Sequence, residues 1–458
     1  MNRRPWLELE RTPVGDHAER AALLTRAVCS NELSRGKALI EREPHLARWD
    51  FYVACACGEL AAVQQALDAH AELARRPGGA NGWPPLVYAC FSRFWRQDPE
   101  RSARLLDIAR LLLRHGADPN GHYLEEHDGR AVPQTCLFAA AGIANSAPLT
   151  RCLLDASANV DEEVLPRAAD AAPESHEHFQ AWLDQHPLEA LYHASEFKDV
   201  TCLRLLLEAE PALPAVTYCL SRALDFDNEK AALLYLKHGA DAAHVVPWHQ
   251  QRSHLHKAVM NHRGPKLIRA LLAGGADPNL PDAQGLSPYR LAVRRGAHEM
   301  AQILQENGGD PATITPSDRA APPDPDLLIR AARRGDLAEL ERWLNAGADL
   351  HRALDMAPIH GACYAGQLDA ARLLLDRGAS LVQKNAYGGT ALSTCIYGST
   401  DCHDEEGGPS ARLPEEVPPR GYAELTELLI QRGASLPSAI TGGSDAVQDV
   451  LRRHGVPD

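Results

Sequence analysis

The sequence predicts an all-α solenoid, a stack of about eleven helix–turn–helix units with eroded ends, and three observations lead there. First, a Gly-Ala-Asp phrase returns at Gly116-Ala117-Asp118-Pro119-Asn120, Gly239-Ala240-Asp241, Gly275-Ala276-Asp277-Pro278-Asn279 and Gly347-Ala348-Asp349, with Gly378-Ala379-Ser380 and Gly433-Ala434-Ser435 as variants. Second, leucine-rich runs such as Leu111-Leu112-Leu113, Leu205-Leu206-Leu207, Leu373-Leu374-Leu375 and Leu428-Leu429-Ile430 precede these turns. Third, a small residue recurs at one register of the helix before: Ala27, Ala54, Ala89, Ala140, Ala194, Ala223, Ala258, Ala292, Ala331, Ala362 and Cys395.

Each observation has a physical cause. A helix ends cheaply where its C′ residue takes a left-handed backbone, which Gly adopts without strain. Helices that stack flank to flank need a small side chain at the closest approach. His115, His238 and His454 stand just before their glycines, where an imidazole meets the negative helix end, so they read as caps.

Along the chain, residues 1–16 form a tail and 17–48 a capping unit. Units follow over 49–161, with insertions at 91–102 and 121–133, the second extending a hairpin-like loop. The pattern dissolves over 162–187, resumes over 188–320, and continues over 321–436 with its largest insertion at 399–420. Residues 437–458 close the stack, with Val447, Val450 and Leu451 on one helical face. Loops inserted into such stacks tend to carry binding.

The openings Ala357-Pro358-Ile359-His360-Gly361-Ala362, Ser287-Pro288-Tyr289-Arg290-Leu291-Ala292, Ser253-His254-Leu255-His256-Lys257-Ala258 and Thr390-Ala391-Leu392 carry the Thr-Pro-Leu-His-x-Ala pattern. Over residues 17–455 the chain resembles the ankyrin-repeat family. That resemblance implies a stack curved like a shallow cupped hand, and it implies that His256 and His360 hydrogen-bond within the inter-repeat turns. It also implies a non-catalytic module that recognises a protein partner through a concave face and loop tips.

Composition narrows the partner. A formal charge of −14 without a basic block argues against nucleic acid and leaves a basic protein partner as a candidate. Met1 to Pro13 is too charged for a signal peptide, and no apolar run is long enough to span a membrane. Eleven cysteines without disulfide-type spacing suit a reduced, cytoplasmic protein. An Arg-, Ala- and Leu-rich composition with few Lys points to a bacterial source.

No phosphate loop, nucleophile elbow or dinucleotide turn is present, so neither catalytic residues nor a cofactor are expected. His176-Glu177-His178 has the wrong helical spacing for a metal pair, and Cys55, Cys90, Cys136, Cys219, Cys363 and Cys395 read as small core residues. The expectation is therefore no metal.

The candidate partner-binding residues are the aromatic cluster Trp83, Tyr88, Phe91, Phe94 and Trp95 with interleaved Arg93 and Arg96. The polar loop beside it adds His122, Tyr123, Glu125, Glu126 and His127. The last insertion adds Tyr397, Asp401, His403 and Asp404. Trp, Tyr and Arg dominate interface energetics, and Phe94 and Trp95 lie in residues that the repeat itself does not need. Two alternatives stay open. The inserted loops could build a small-molecule or catalytic pocket from His122, Glu125, Glu126, His127, His403 and Asp404, or the acidic surface could attract a basic partner by charge alone.

Overall fold

The computed structural model describes residues 17–30, 33–127, 130–162, 188–226, 228–246, 251–319, 325–351, 356–401 and 421–457. These fall into two compact units, divided between Ala240 and Asp241.

Among the described residues of the first unit, twelve helices form two stacked rows. They are α1 His17–Val28, α2 Leu33–Arg42, α3 Phe51–Cys57, α4 Leu60–Ala69, α5 Pro85–Cys90 and α6 Pro99–Arg114. There follow α7 Cys136–Phe138, continued by a wider π turn over Ala139–Ile143, and α8 Ala147–Asp155. The last four are α9 Glu189–Ala194, α10 Thr201–Glu208, α11 Leu213–Asp225 and α12 Glu229–Lys237. Odd-numbered helices pack on the next odd one, and from α4 onward even-numbered helices do the same, as stacked helix pairs require. Local chemistry starts several of them. The Asp50 side chain accepts from Tyr52 N and Val53 N, Asp98 from Arg101 N, and Asn228 from Ala231 N. Between α6 and α7 stands a hairpin, β1 His122–His127 paired antiparallel with β2 Arg130–Thr135.

The second unit repeats the arrangement. A two-residue-per-strand hairpin, β3 Val245–Val246 with β4 Arg252–Ser253, precedes α13 His254–Met260. Then come α14 Pro265–Ala273, α15 Pro288–Arg294 and α16 His298–Glu306, followed by a helical turn at Pro316–Arg319. The remainder are α17 Pro325–Arg334, α18 Leu337–Asn345, α19 Pro358–Tyr364, α20 Leu368–Asp376, α21 Ala391–Asp401, α22 Tyr422–Gln431 and the closing α23 Asp445–Arg453. Val447, Val450 and Leu451 of α23 are buried, Val447 and Leu451 in one cluster with residues of the last pair.

All eleven small residues at the shared register, Ala27 through Cys395, are at most 1% exposed. The turn glycines Gly116, Gly239, Gly275, Gly347, Gly378, Gly433 and Gly455 all have φ between 80° and 97°. Ser157 holds the equivalent place after α8 with φ 69°, a position that an L side chain occupies at a cost.

Side chains also tie each turn to the next. Asn120 Oδ1 accepts from Asn159 N at 2.7 Å, and Asn279 Oδ1 accepts from Asp310 N at 2.8 Å. His360 Nδ1 accepts from Ala357 N at 3.2 Å, and its Nε2 pairs with Gln383 O at 3.0 Å. His256 makes the same two links, to Ser253 N and Leu286 O. A ring that accepts at one nitrogen and donates at the other is neutral, and burial pulls both rings below the ordinary histidine range.

Candidate interaction surface

The turn before α5 is built around a phenol. Tyr88 Oη accepts from Asn81 N at 2.8 Å and donates to Gly78 O at 2.9 Å, while Gly79 and Gly82 supply left-handed backbone. This fixes Trp83 at the edge of the repeat, half-buried. The β1–β2 hairpin of the next repeat lays Tyr123 on it, with ring centroids 4.2 Å apart and planes at 14°. Phe91 closes the group beneath, 6.0 Å from Trp83 and 5.1 Å from Tyr123. Burial, with Glu125 adding to it, pushes the Tyr123 phenol up to about 12.

From Phe91 the aromatic row runs on across α7, α9 and α11. Phe138 lies 6.3 Å from Phe91, His193 5.4 Å from Phe138, and Tyr192 and Tyr218 stack at 5.9 Å. At its far end stands an ionic network. His193 bridges Glu189 at 3.2 Å and Glu196 at 2.9 Å. Burial pulls that ring down, but the two carboxylates outweigh it and raise it to about 9, so it is charged. Arg222 donates to the same Glu196 oxygen from Nε and Nη2, and its guanidinium lies over Tyr192 at 4.6 Å and Phe226 at 4.2 Å. Behind the network Glu162 is 1% exposed; it accepts from Thr135 Oγ1 and from Ala190 N at 2.7 Å. Burial outweighs those bonds and raises its carboxyl to about 7.

Charge is distributed unevenly along this unit. Residues 1–150 carry eighteen Lys and Arg against eighteen Asp and Glu, whereas residues 151–240 carry seven against sixteen. The row therefore leads from a charge-balanced stretch into an acidic one.

Four of the expected binding residues are structural instead. Tyr88 and Phe91 are 0% and 2% exposed and build the turn and the repeat core. Phe94 and Trp95, at 1% and 9%, correct the expectation that the repeat does not need them. The residues inserted here form a 3-10 turn, Arg93–Arg96, that packs on α6. Trp95 Nε1 donates to Ala89 O at 2.9 Å, and the Arg101 guanidinium covers Phe94 at 4.6 Å. Arg93 and Arg96 are half-buried, Arg96 over the Phe197 ring at 5.2 Å.

The hairpin residues do not converge as a pocket would need. His122 and Glu125 lie on opposite faces of β1 because strand side chains alternate, and His122 Nδ1 is engaged with Asn120 O at 3.1 Å. Tyr123 and Glu125 share a face, Leu124 is 54% exposed on the other, and Glu126 and His127 pair across the hairpin with Ala131 and Arg130. Tyr397 is 56% exposed in the second unit and stacks on Tyr364 at 6.3 Å. Asp401 ends α21, while His403 and Asp404 lie outside the described residues.

Sequence reasoning missed Phe138, Glu189, Tyr192, His193, Glu196, Tyr218 and Arg222. They are spread over three repeats, so no local density marks them. The available signal was their place, mostly one or two residues from the shared-register alanines Ala140, Ala194 and Ala223.

A family model described as ankyrin repeats (3 copies) matches residues 328–404, and one described as ankyrin repeat matches residues 81–121. The putative ankyrin repeat protein YahD of Escherichia coli (strain K12) is 36% identical over 115 residues, 23% of this chain and 56% of that protein. Human neurogenic locus notch homolog protein 1 is 32% identical over 133 residues, 29% of this chain and 5% of that protein. The mouse B-cell lymphoma 3 protein homolog is 26% identical over 162 residues, 34% of this chain and 32% of that protein. This chain thus spans between 5% and 56% of the length of these relatives. Among solved structures, the human ASB11 ankyrin repeat domain aligns with 52% of this chain and 98% of its own, at 21% identity and TM-score 0.26. The ankyrin repeat domain of Bcl-3 aligns with 44% of this chain and 92% of its own, at 23% identity and TM-score 0.25.

Proposed function

Given that this is an ankyrin-repeat protein, we propose that it is a non-catalytic module that binds a protein partner along the aromatic row of its first unit. The observation that carries this reading is the Trp83–Tyr123 stack, which holds a hairpin with an exposed Leu124 at the edge of the repeats. Half-buried aromatics on a rigid frame offer large contact area at little ordering cost, which is what binding surfaces need. The excess of acidic residues over 151–240 favours a partner segment with an apolar or aromatic anchor at the hairpin and basic residues toward Tyr192 and Tyr218.

The test is co-purification of the tagged full chain from its source cell, read by mass spectrometry. Leu124→Asp changes an exposed side chain and leaves the stack in place, so it should abolish recovery of the partner. Tyr387→Ala, in the second unit and 83% exposed, should leave recovery unchanged. Equal recovery with both variants would remove the hairpin from the interface.

A further inference from the structure

Among the described residues one set of side chains outside that row has the donors for a metal ion. His17 opens α1, and Glu43 and His45 flank Pro44 in the turn that follows α2. One donor atom from each lies within 4.8 Å of the other two. The two rings stand edge to face, centroids 5.2 Å apart and planes at 88°, with Trp49 5.9 Å from His17. Arg20 Nη1 pairs with Glu43 Oε1 at 2.7 Å, so Oε2 is the oxygen a cation would take.

We infer that His17, Glu43 and His45 form a binding site for a borderline divalent cation such as Zn2+ that ties the first turn of α1 to the turn after α2. Two imidazoles and one carboxylate suit Zn2+, Ni2+ or Cu2+; Mg2+ and Ca2+ prefer all-oxygen sets. In a tetrahedral zinc site the donor atoms stand about 3.3 Å apart, so this set closes by at most about 1.5 Å. Both histidines are exposed, so side-chain rotation suffices and the fourth position is left to water. Arg20 and the positive end of α1 oppose a cation, which sets the expected dissociation constant on the order of micromolar, well short of a structural zinc site. The site is invisible in the sequence because His17 is far along the chain from Glu43.

Calorimetric titration of ZnCl2 into the reduced full chain, in chelator-free buffer, tests this. Quenching of Trp49 emission by NiCl2 gives a second readout, since that indole is 43% exposed beside His17. The expected result is one ion per chain, weakened at least about ten-fold by His17→Gln or His45→Gln, and tightened several-fold by Arg20→Gln as its opposing charge is lost. A purely structural Arg20–Glu43 pair would not give that last effect. Thermal melts without metal show whether the variants fold. Zinc affinity unchanged in the His17→Gln/His45→Gln double variant, or no ion bound by the native chain, would overturn the assignment.

Discussion

Trp83 and Tyr123 belong to successive repeats, and their rings lie nearly parallel at 4.2 Å. The stack is a strut: it joins the turn organised by Tyr88 to the hairpin that carries Leu124. An aromatic pair of this kind contributes about 0.5–1.5 kcal/mol beyond its buried area. Tyr123→Ala should therefore loosen the hairpin first. Amide exchange over residues 122–135 should speed up several-fold while the alanine-packed helices stay protected. Unchanged exchange there would mean that the hairpin stands without the strut.

The shared-register alanines are buried on helices that pack on one another. Ala362 is 0% exposed on α19, which packs on α17 and α21, and Ala362→Leu adds three carbons to that buried position. The expected loss is about 1–3 kcal/mol, read from urea unfolding. A neutral effect would show that the layers can part at this point.

Ser157 offers the opposite change. It is exposed, with φ 69°, where the other turns use Gly. Ser157→Gly should stabilise the first unit by about 0.5–1 kcal/mol because Gly adopts this backbone without strain. A lower melting temperature would show that the serine has a role beyond the turn.

The two units should respond oppositely to pH. In the second, burial and nearby His244 pull His254 down to about 3, and burial also lowers His256 and His360. Below about pH 6.5 the unfolded chain takes up protons that these rings refuse. Stability there should fall by up to about 1.4 kcal/mol per pH unit per histidine, continuing toward the folded values. In the first unit Glu162 keeps its proton up to about 7 while the unfolded carboxyl has lost it, so stability falls as pH rises from roughly 4.5 to 7. Glu162→Gln should remove that loss, on the order of 3 kcal/mol at full effect. Unfolding followed by hydrogen exchange across pH 5–8 resolves the two units. Parallel pH profiles in both, or a Glu162→Gln profile identical to the native one, would contradict the assignment.

Much of the fold could be read in the chain because its rule is local. Left-handed glycines end helices, and alanines mark the closest approach whatever their neighbours are. Ser157 escaped that reading because it breaks the glycine rule while keeping the backbone. The surface was less legible. Local density picked out Tyr88, Phe91, Phe94 and Trp95 together with Trp83, but density says nothing of direction, and four of the five point into the core. His193, Tyr192 and Tyr218 were not picked out because stacking, not sequence proximity, brings them into line with Phe138.

The proposed partner would lie along the row from Trp83 to Tyr218. Hydrogen–deuterium exchange on the native chain, alone and with its co-purified partner, tests it most directly. The expected result is added protection over residues 78–91, 122–135 and 189–222, with the second unit unaffected. Protection confined to residues beyond 241 would contradict it.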